Sequence, residues 1–217
     1  TTQFMQVPMN LLAENGAAAY LEAGIWGTKA IKEACLFGIQ ITIASSKDKN
    51  FTYIPKDYQI PDNAAYLHLT TNNTVEGTQM HEFPKTTIPL IADMSSDIFS
   101  RNINFSQFDL IYAGAQKNTG AAGVNLVVLN KNILGKISRK IPAILDYRNH
   151  IEAKSMLNTP PVFAILISLL TLRWIKAEGG IAEMEKRSKE KATLLYSTLD
   201  SLEIFNPTVI KEDRSFM

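Results

Sequence analysis

The stretch Ile111-Tyr-Ala-Gly-Ala-Gln-Lys-Asn-Thr-Gly120 decides how this chain is read. An apolar run ends in small residues, and one lysine, Lys117, stands among them before glycines and a second apolar run, residues 124–129. Upstream, Ala92-Asp-Met-Ser-Ser-Asp97 repeats the arrangement with an acid, Asp93, closing the apolar run 88–92. Read as enclosed, Lys117 needs a chemical reason, because an ammonium out of water is costly unless it is paired or neutralised. Two readings of the lysine are open: a surface residue in a Gly/Asn-rich hairpin turn, or an amine delivered to a site lined by small side chains that let a flat ligand approach.

Outward from these two runs, short apolar segments alternate with helical periodicity. Strands are expected at 17–23, 39–44, 65–70, 90–93, 108–113 and 124–129. Helices are expected at 4–13 with Pro8 near the first turn, 26–37 with Gly38 as its cap, 161–177 stopped by Gly179 and Gly180, and 181–202. Residues 45–63 read as loop with a short helix, and 71–77 and 146–159 as polar loops. This alternation predicts an α/β layer architecture. The rise in charge after residue 180 marks a passage to a second lobe, dividing the chain into 1–180 and an unfinished 181–217.

Bulk composition excludes several classes of function. The chain has 217 residues, is 46% hydrophobic and carries a net charge of +1, so it offers a sizeable core and no basic footprint for nucleic acid. The apolar window 162–172 is too short to span a bilayer and reads as a buried helix, so no membrane role is expected. One cysteine, Cys35, excludes an internal disulfide and a multi-cysteine zinc site, and points to a reducing cytoplasm. Cys35 itself reads as core. His68, His81 and His150 have no metal-ligand spacing, and His68 reads as a core histidine.

The residues that carry chemistry lie where strands end. Asp93 closes a strand at the edge where ligands of open α/β sheets collect. It is either a turn or cap residue, in competition with Ser95 and Ser96, or a partner for a protonated ring nitrogen. Trp26, after Gly24-Ile25, is either core or a stacking face. Thr74 either shapes a turn or contacts a ligand hydroxyl. A lysine and a buried acid together suit pyridoxal phosphate, which asks for a Schiff-base amine and an acid beside its pyridine nitrogen.

Read together, Val7-Pro-Met-Asn-Leu-Leu12, Gly24-Ile-Trp-Gly-Thr-Lys29 and onward to Ala34, Thr71-Asn-Asn-Thr-Val-Glu-Gly77, Ala92-Asp-Met-Ser-Ser96, Tyr112-Ala-Gly-Ala-Gln-Lys-Asn118 and Asn158-Thr-Pro-Pro161 resemble, in order, the motifs of the phosphoserine aminotransferase family. That family is a class V branch of the fold-type I pyridoxal-phosphate enzymes. The resemblance implies a three-layer α/β large domain with a mainly parallel mixed sheet, followed by the start of a small α+β domain. It implies that Lys117 forms the Schiff base, Asp93 meets the pyridine nitrogen, Trp26 stacks on the ring and Thr74 meets its 3-hydroxyl. Gln116 and Ser95 would reach the phosphate. Asn158 and Thr159 would reach the phosphate of a neighbouring subunit's cofactor, which implies a homodimer with shared sites. The implied reaction passes an amino group from glutamate to a phosphorylated keto acid, 3-phosphohydroxypyruvate.

Family members are longer than this chain. The glycine-rich phosphate loop and a histidine–arginine pair are expected before Thr1, and a substrate-reading arginine after Met217, leaving Arg148 as a weak substitute. The expectation is a chain with poor turnover or none and with apolar surface exposed. Two alternatives stay open: another class V activity, or a cofactor-binding, dimer-forming fragment without catalysis. A desulfurase would need a mobile-loop cysteine, and Cys35 is misplaced for that.

Overall fold

The computed structural model describes residues 2–217. Its centre is a six-stranded sheet of β1 (Ala17–Glu22), β2 (Ile39–Ser45), β3 (Leu67–Thr70), β6 (Leu90–Asp93), β7 (Leu110–Gly114) and β8 (Asn125–Leu129), in the order β2-β1-β3-β6-β7-β8. Neighbours pair in parallel except β7 and β8, which are antiparallel. A separate hairpin joins β4 (Asn72–Asn73) to β5 (Thr78–Gln79). The mainly parallel mixed sheet expected from the sequence is therefore present.

Strand alternation sorts side chains into two cores. Leu67, Leu69, Leu90, Ala92, Ile111 and Ala113 join one. Tyr20, Ile91, Leu110 and Tyr112 join the other, together with Phe4, Val7 and Leu11 of α1 (Gln3–Leu11) and Ala30 and Ala34 of α2 (Ile25–Ala34). In register, Thr70 pairs with Asp93 and Asp93 with Tyr112, so β3 and β6 end level and β7 runs two residues further, to Gly114. The two-residue period puts Asp93 on the same face as Ile91, the face covered by α1 and α2.

Several expectations change. Pro8 lies inside α1 rather than in its first turn. The buried face of α2 is Gly27, Ala30 and Ala34, so Cys35, one residue beyond, points away from that stripe and is exposed. The polar loop 146–159 contains α4 (Tyr147–Glu152), capped by Asp146, whose Oδ1 accepts the Arg148 backbone N–H at 2.9 Å. Arg148 is spent on the same carboxylate through Nε and Nη2, so it does not serve as a free cation.

That pairing holds the Asp146 carboxyl below the usual carboxylate range. Asp146→Ala is expected to cost about 1 kcal/mol in urea unfolding at neutral pH, the usual scale for a helix cap. Because the folded pKa is lowered, the wild-type advantage is full above the ordinary aspartate range and fades as pH falls through the folded pKa.

α5 (Val162–Ala177) is followed by Gly179 and Gly180, both at positive φ (106° and 76°), a turn that residues with a Cβ adopt at a cost. α6 (Gly180–Ser201) then packs back on α5. The window read as a buried helix is largely uncovered: Val162 and Phe163 are 68% and 71% exposed, while Ala164 and Ile175 are the buried positions of α5. A helix apolar on most sides needs cover on most sides, and here α6 and the loop at Gly120 and Gly123 supply only part of it. Among the described residues, no helix is long and apolar enough to cross a membrane.

His68 is a core residue as expected. Nε2 lies 2.8 Å from the Tyr112 hydroxyl, and the ring sits between Tyr20 and Tyr112. Burial lowers its pKa to about 3. A histidine kept neutral by the fold takes up a proton only on unfolding. It therefore erodes stability as pH falls from about 6.5 toward 3, by up to about 1.4 kcal/mol per pH unit. Imidazole ¹⁵N shifts of His68 are expected to report the neutral ring throughout pH 5–8; a titration in that range would contradict the burial argument.

Opposite the sheet edge, a second anchor forms around Asp97. Arg101 Nε and Nη2 bond its two oxygens at 3.0 and 2.8 Å, Gln79 Nε2 and Ser100 Oγ add donors, and Arg101 also donates to the Met80 carbonyl. The ion pair is almost wholly buried and is backed by further hydrogen bonds on both partners, the condition under which such a pair fixes geometry. It ties the β4–β5 hairpin to the turn after β6.

Candidate active site

Four carboxyl-terminal strand ends converge. After β1 the chain turns at Gly24 into α2, whose second residue is Trp26. After β3 it forms the β4–β5 hairpin bearing Thr74. β6 ends at Asp93. β7 leads through Gly114 into the one-turn α3 (Ala115–Asn118), which carries Gln116 and Lys117. This is the crevice beyond strand ends where open α/β sheets bind ligands.

Lys117 Nζ donates to Thr74 Oγ1 at 2.8 Å and lies 5.0 Å from the centre of the Trp26 ring. Lys117 is exposed rather than enclosed. The correction has a simple cause: α3 begins where β7 ends, beyond the carboxyl end of the sheet, and leaves the Lys117 side chain uncovered. A second amine also faces the indole, since Lys29 Nζ is 4.6 Å from the same ring. The sequence reading missed it; its signal was the three-residue spacing from Trp26 on one helix. Trp26 is half-buried, and its Nε1 is buried without a partner among the described residues.

Asp93 is buried. Ser95 donates to its Oδ1 twice, from Oγ at 2.6 Å and from the backbone N–H at 3.0 Å. No described residue donates to Oδ2. Burial raises the Asp93 pKa above the usual carboxylate value, while the Ser95 bonds and the Lys117 charge pull it back. Ser95 Oγ also accepts the Gly114 N–H at 3.1 Å, so one hydroxyl ties the acid to the start of α3 and is engaged within the protein. Gln116 is exposed, and its amide folds back over Gly114, within 2.7 Å of where a Cβ there would lie. Asn158 and Thr159 are exposed on the loop before α5, and Asn158 Nδ2 bonds the Thr159 carbonyl at 3.3 Å. Among the described residues, no hydrogen bond joins them to the Lys117 cluster.

The arrangement sets a buried acid with one oxygen that accepts from no described residue, an amine held by a hydroxyl, and a flat aromatic face beyond the carboxyl ends of neighbouring strands. It suits a planar ring with a basic nitrogen at one end and an electrophilic carbon near the amine. The sequence model of the class V aminotransferases matches residues 1–217. The chain belongs to the class V aminotransferases.

Among relatives of this class V chain, the phosphoserine aminotransferase of Flavobacterium johnsoniae is 59% identical over 217 residues, covering 100% of this chain and 61% of the relative. That of Flavobacterium psychrophilum is 57% identical over 215 residues, covering 99% and 60%. The solved phosphoserine aminotransferase from Bacillus circulans subsp. alkalophilus superposes with a TM-score of 0.96 at 42% identity, covering 100% of this chain and 61% of that one. A phosphoserine aminotransferase from Trichomonas vaginalis, solved with PLP bound, gives 0.93 at 34% identity, covering 99% and 61%. This class V chain thus spans about three-fifths of the length of the relatives it matches.

Proposed function

We propose that the protein holds pyridoxal phosphate in this crevice and moves an amino group from glutamate to 3-phosphohydroxypyruvate. The observation that carries the reading is the placing of Asp93, whose Oδ2 accepts from no described residue, at the end of β6 and of Lys117 in the α3 turn that follows the adjacent strand β7. Asp93 is a buried carboxyl, such groups are held by donors, and a protonated pyridine nitrogen is one. The residues present therefore fit the cofactor. Lys117 Nζ is the point of covalent attachment, Trp26 the stacking face, Thr74 the contact for the ring hydroxyl and Gln116 a phosphate donor.

When bound, the cofactor's pyridinium ring draws off negative charge that develops at the substrate Cα. Asp93 keeps the ring nitrogen protonated. Lys117, once released from attachment, takes the proton from the substrate Cα and returns it on the other side of the exchange. Thr74 restrains the amine while it is free. The phosphorylated keto acid follows from the names of the relatives at 50–59% identity.

Asn158 and Thr159, exposed and apart from the cluster, are assigned to a neighbouring subunit's cofactor in a homodimer; the uncovered face of α5 beside them supports this. Residues 1–180 form the cofactor-holding body and 181–217 open a second lobe. A reducing cytoplasmic compartment accords with the exposed lone thiol of Cys35. Sedimentation equilibrium tests the dimer: a monomer across the micromolar range would remove that part of the reading.

A second reading is cofactor binding without turnover. It is favoured by the arginines, since five of the six, Arg101, Arg139, Arg148, Arg187 and Arg214, are committed to acceptors within the protein, and the sixth, Arg173, lies exposed on α5. Incubation with pyridoxal phosphate, glutamate and 3-phosphohydroxypyruvate, followed by detection of O-phosphoserine, separates the two. Phosphoserine formation supports transamination. Spectral capture of the cofactor with no phosphoserine supports binding alone.

A further inference from the structure

We propose that Glu76 is a positioning residue that clamps the first turn of α2 to the Thr74 loop, fixing the spacing of the two groups that meet Lys117. The first N–H groups of a helix have no intrahelical partner, and a polar side chain at the cap normally supplies one. α2 has Gly24 there, which has no side chain to offer. Glu76 supplies the acceptor from 51 residues away: its Oε1 takes the Ile25 N–H at 2.8 Å. A carboxylate also suits the positive end of the helix dipole.

The joint is tight. A Cβ on Gly24 would lie 2.4 Å from Asn73 Oδ1 and 3.0 Å from Glu76 Oε2, so the α2 backbone rests directly on the hairpin. The hairpin is itself fixed. Asn73 Nδ2 bonds Thr78 Oγ1 at 3.1 Å, and the Gly77 N–H bonds the Asn73 carbonyl at 2.8 Å. Trp26 follows Ile25 directly, and Thr74 lies two residues before Glu76. One carboxylate thus binds the stacking ring and the hydroxyl into a single unit, both parts of which touch Lys117. Its consequence for cofactor binding rests on the function proposed above; the clamp itself does not.

The two tryptophans are Trp26 and Trp174, so a Trp174→Phe background makes Trp26 the sole tryptophan, read by excitation at a wavelength that tyrosine does not absorb. In cofactor-free protein, Glu76→Ala is expected to make Trp26 more open to acrylamide quenching and to shift its emission to the red. Glu76→Gln, which keeps an oxygen acceptor, stays near the parent. With pyridoxal phosphate added, Glu76→Ala is expected to raise the Kd about tenfold, the scale of losing one capping acceptor. If Glu76→Ala fails to fold, Gly24→Ala strains the same joint from the other side and is expected to raise quenching while Glu76→Gln does not. Unchanged Trp26 quenching in a folded Glu76→Ala or Gly24→Ala protein overturns the clamp, as does equal disturbance by Glu76→Gln. A parent that binds no pyridoxal phosphate counts against the function alone, because the quenching comparison still decides the role of Glu76.

Discussion

Lys117→Ala is expected to lower amino-group transfer by about 10³-fold or more and to abolish borohydride-stable attachment of pyridoxal phosphate. Removing a positioned general base typically costs 10²–10⁴-fold, and this residue is also the attachment point. The neighbouring amine makes the prediction specific. Lys29 faces the same indole at 4.6 Å, against 5.0 Å for Lys117, so proximity to Trp26 does not distinguish them. Two features do: Lys117 bonds Thr74, and its charge acts on Asp93. Lys29→Ala should therefore leave attachment intact. Single-turnover spectra of both variants with glutamate check this. Equal losses in the two would mean that the indole face, not the Asp93–Lys117 pairing, defines the site.

Asp93→Asn is expected to act in opposite directions on stability and on binding. Burial raises the Asp93 pKa, so the folded state holds the proton more tightly than the unfolded chain. The stability linked to that proton is full below the ordinary aspartate range and is lost as pH rises through the raised folded value. Above that window the ionised acid is a burden on the cofactor-free fold. Asparagine keeps an acceptor for the Ser95 donors and removes the charge. The variant should melt above the wild type at neutral pH, and the difference should close as pH falls below the usual carboxylate range. Cofactor affinity should drop, because one partner of a buried, charge-assisted bond is gone; about 2–5 kcal/mol is the usual scale. Thermal melts of cofactor-free protein at pH 4 and 7.5, with a pyridoxal phosphate titration, read both effects. A variant that melts lower at neutral pH and binds normally would place Asp93 among structural turn residues.

The ends of β3 and β6 were legible because each closed an apolar run with a polar residue, and Thr70, Asp93 and Tyr112 fall level in the sheet. Asp93 was found that way, and Lys117 as a lone lysine among small residues between two apolar runs. What was not legible depends on distance along the chain or on cover. The N–H that Glu76 accepts is 51 residues away, so nothing local marks it as a cap. Lys117 is exposed, because small neighbours in sequence do not say whether anything lies above them. Similarly, α5 is apolar enough for a core, yet its partners are set by what packs on it. Cys35 was misplaced by one position on a helix, about 100° of rotation. In α4, the Asp146 cap was readable in principle, but the short helix carries too little periodicity to separate it from a polar loop.

The most direct test of the central claim is borohydride reduction of the protein with pyridoxal phosphate, followed by peptide mapping. A single reduced adduct on Lys117, lost in Lys117→Ala and retained in Lys29→Ala, is the predicted result. An adduct on Lys29, or scattered over surface lysines with none at Lys117, would contradict it.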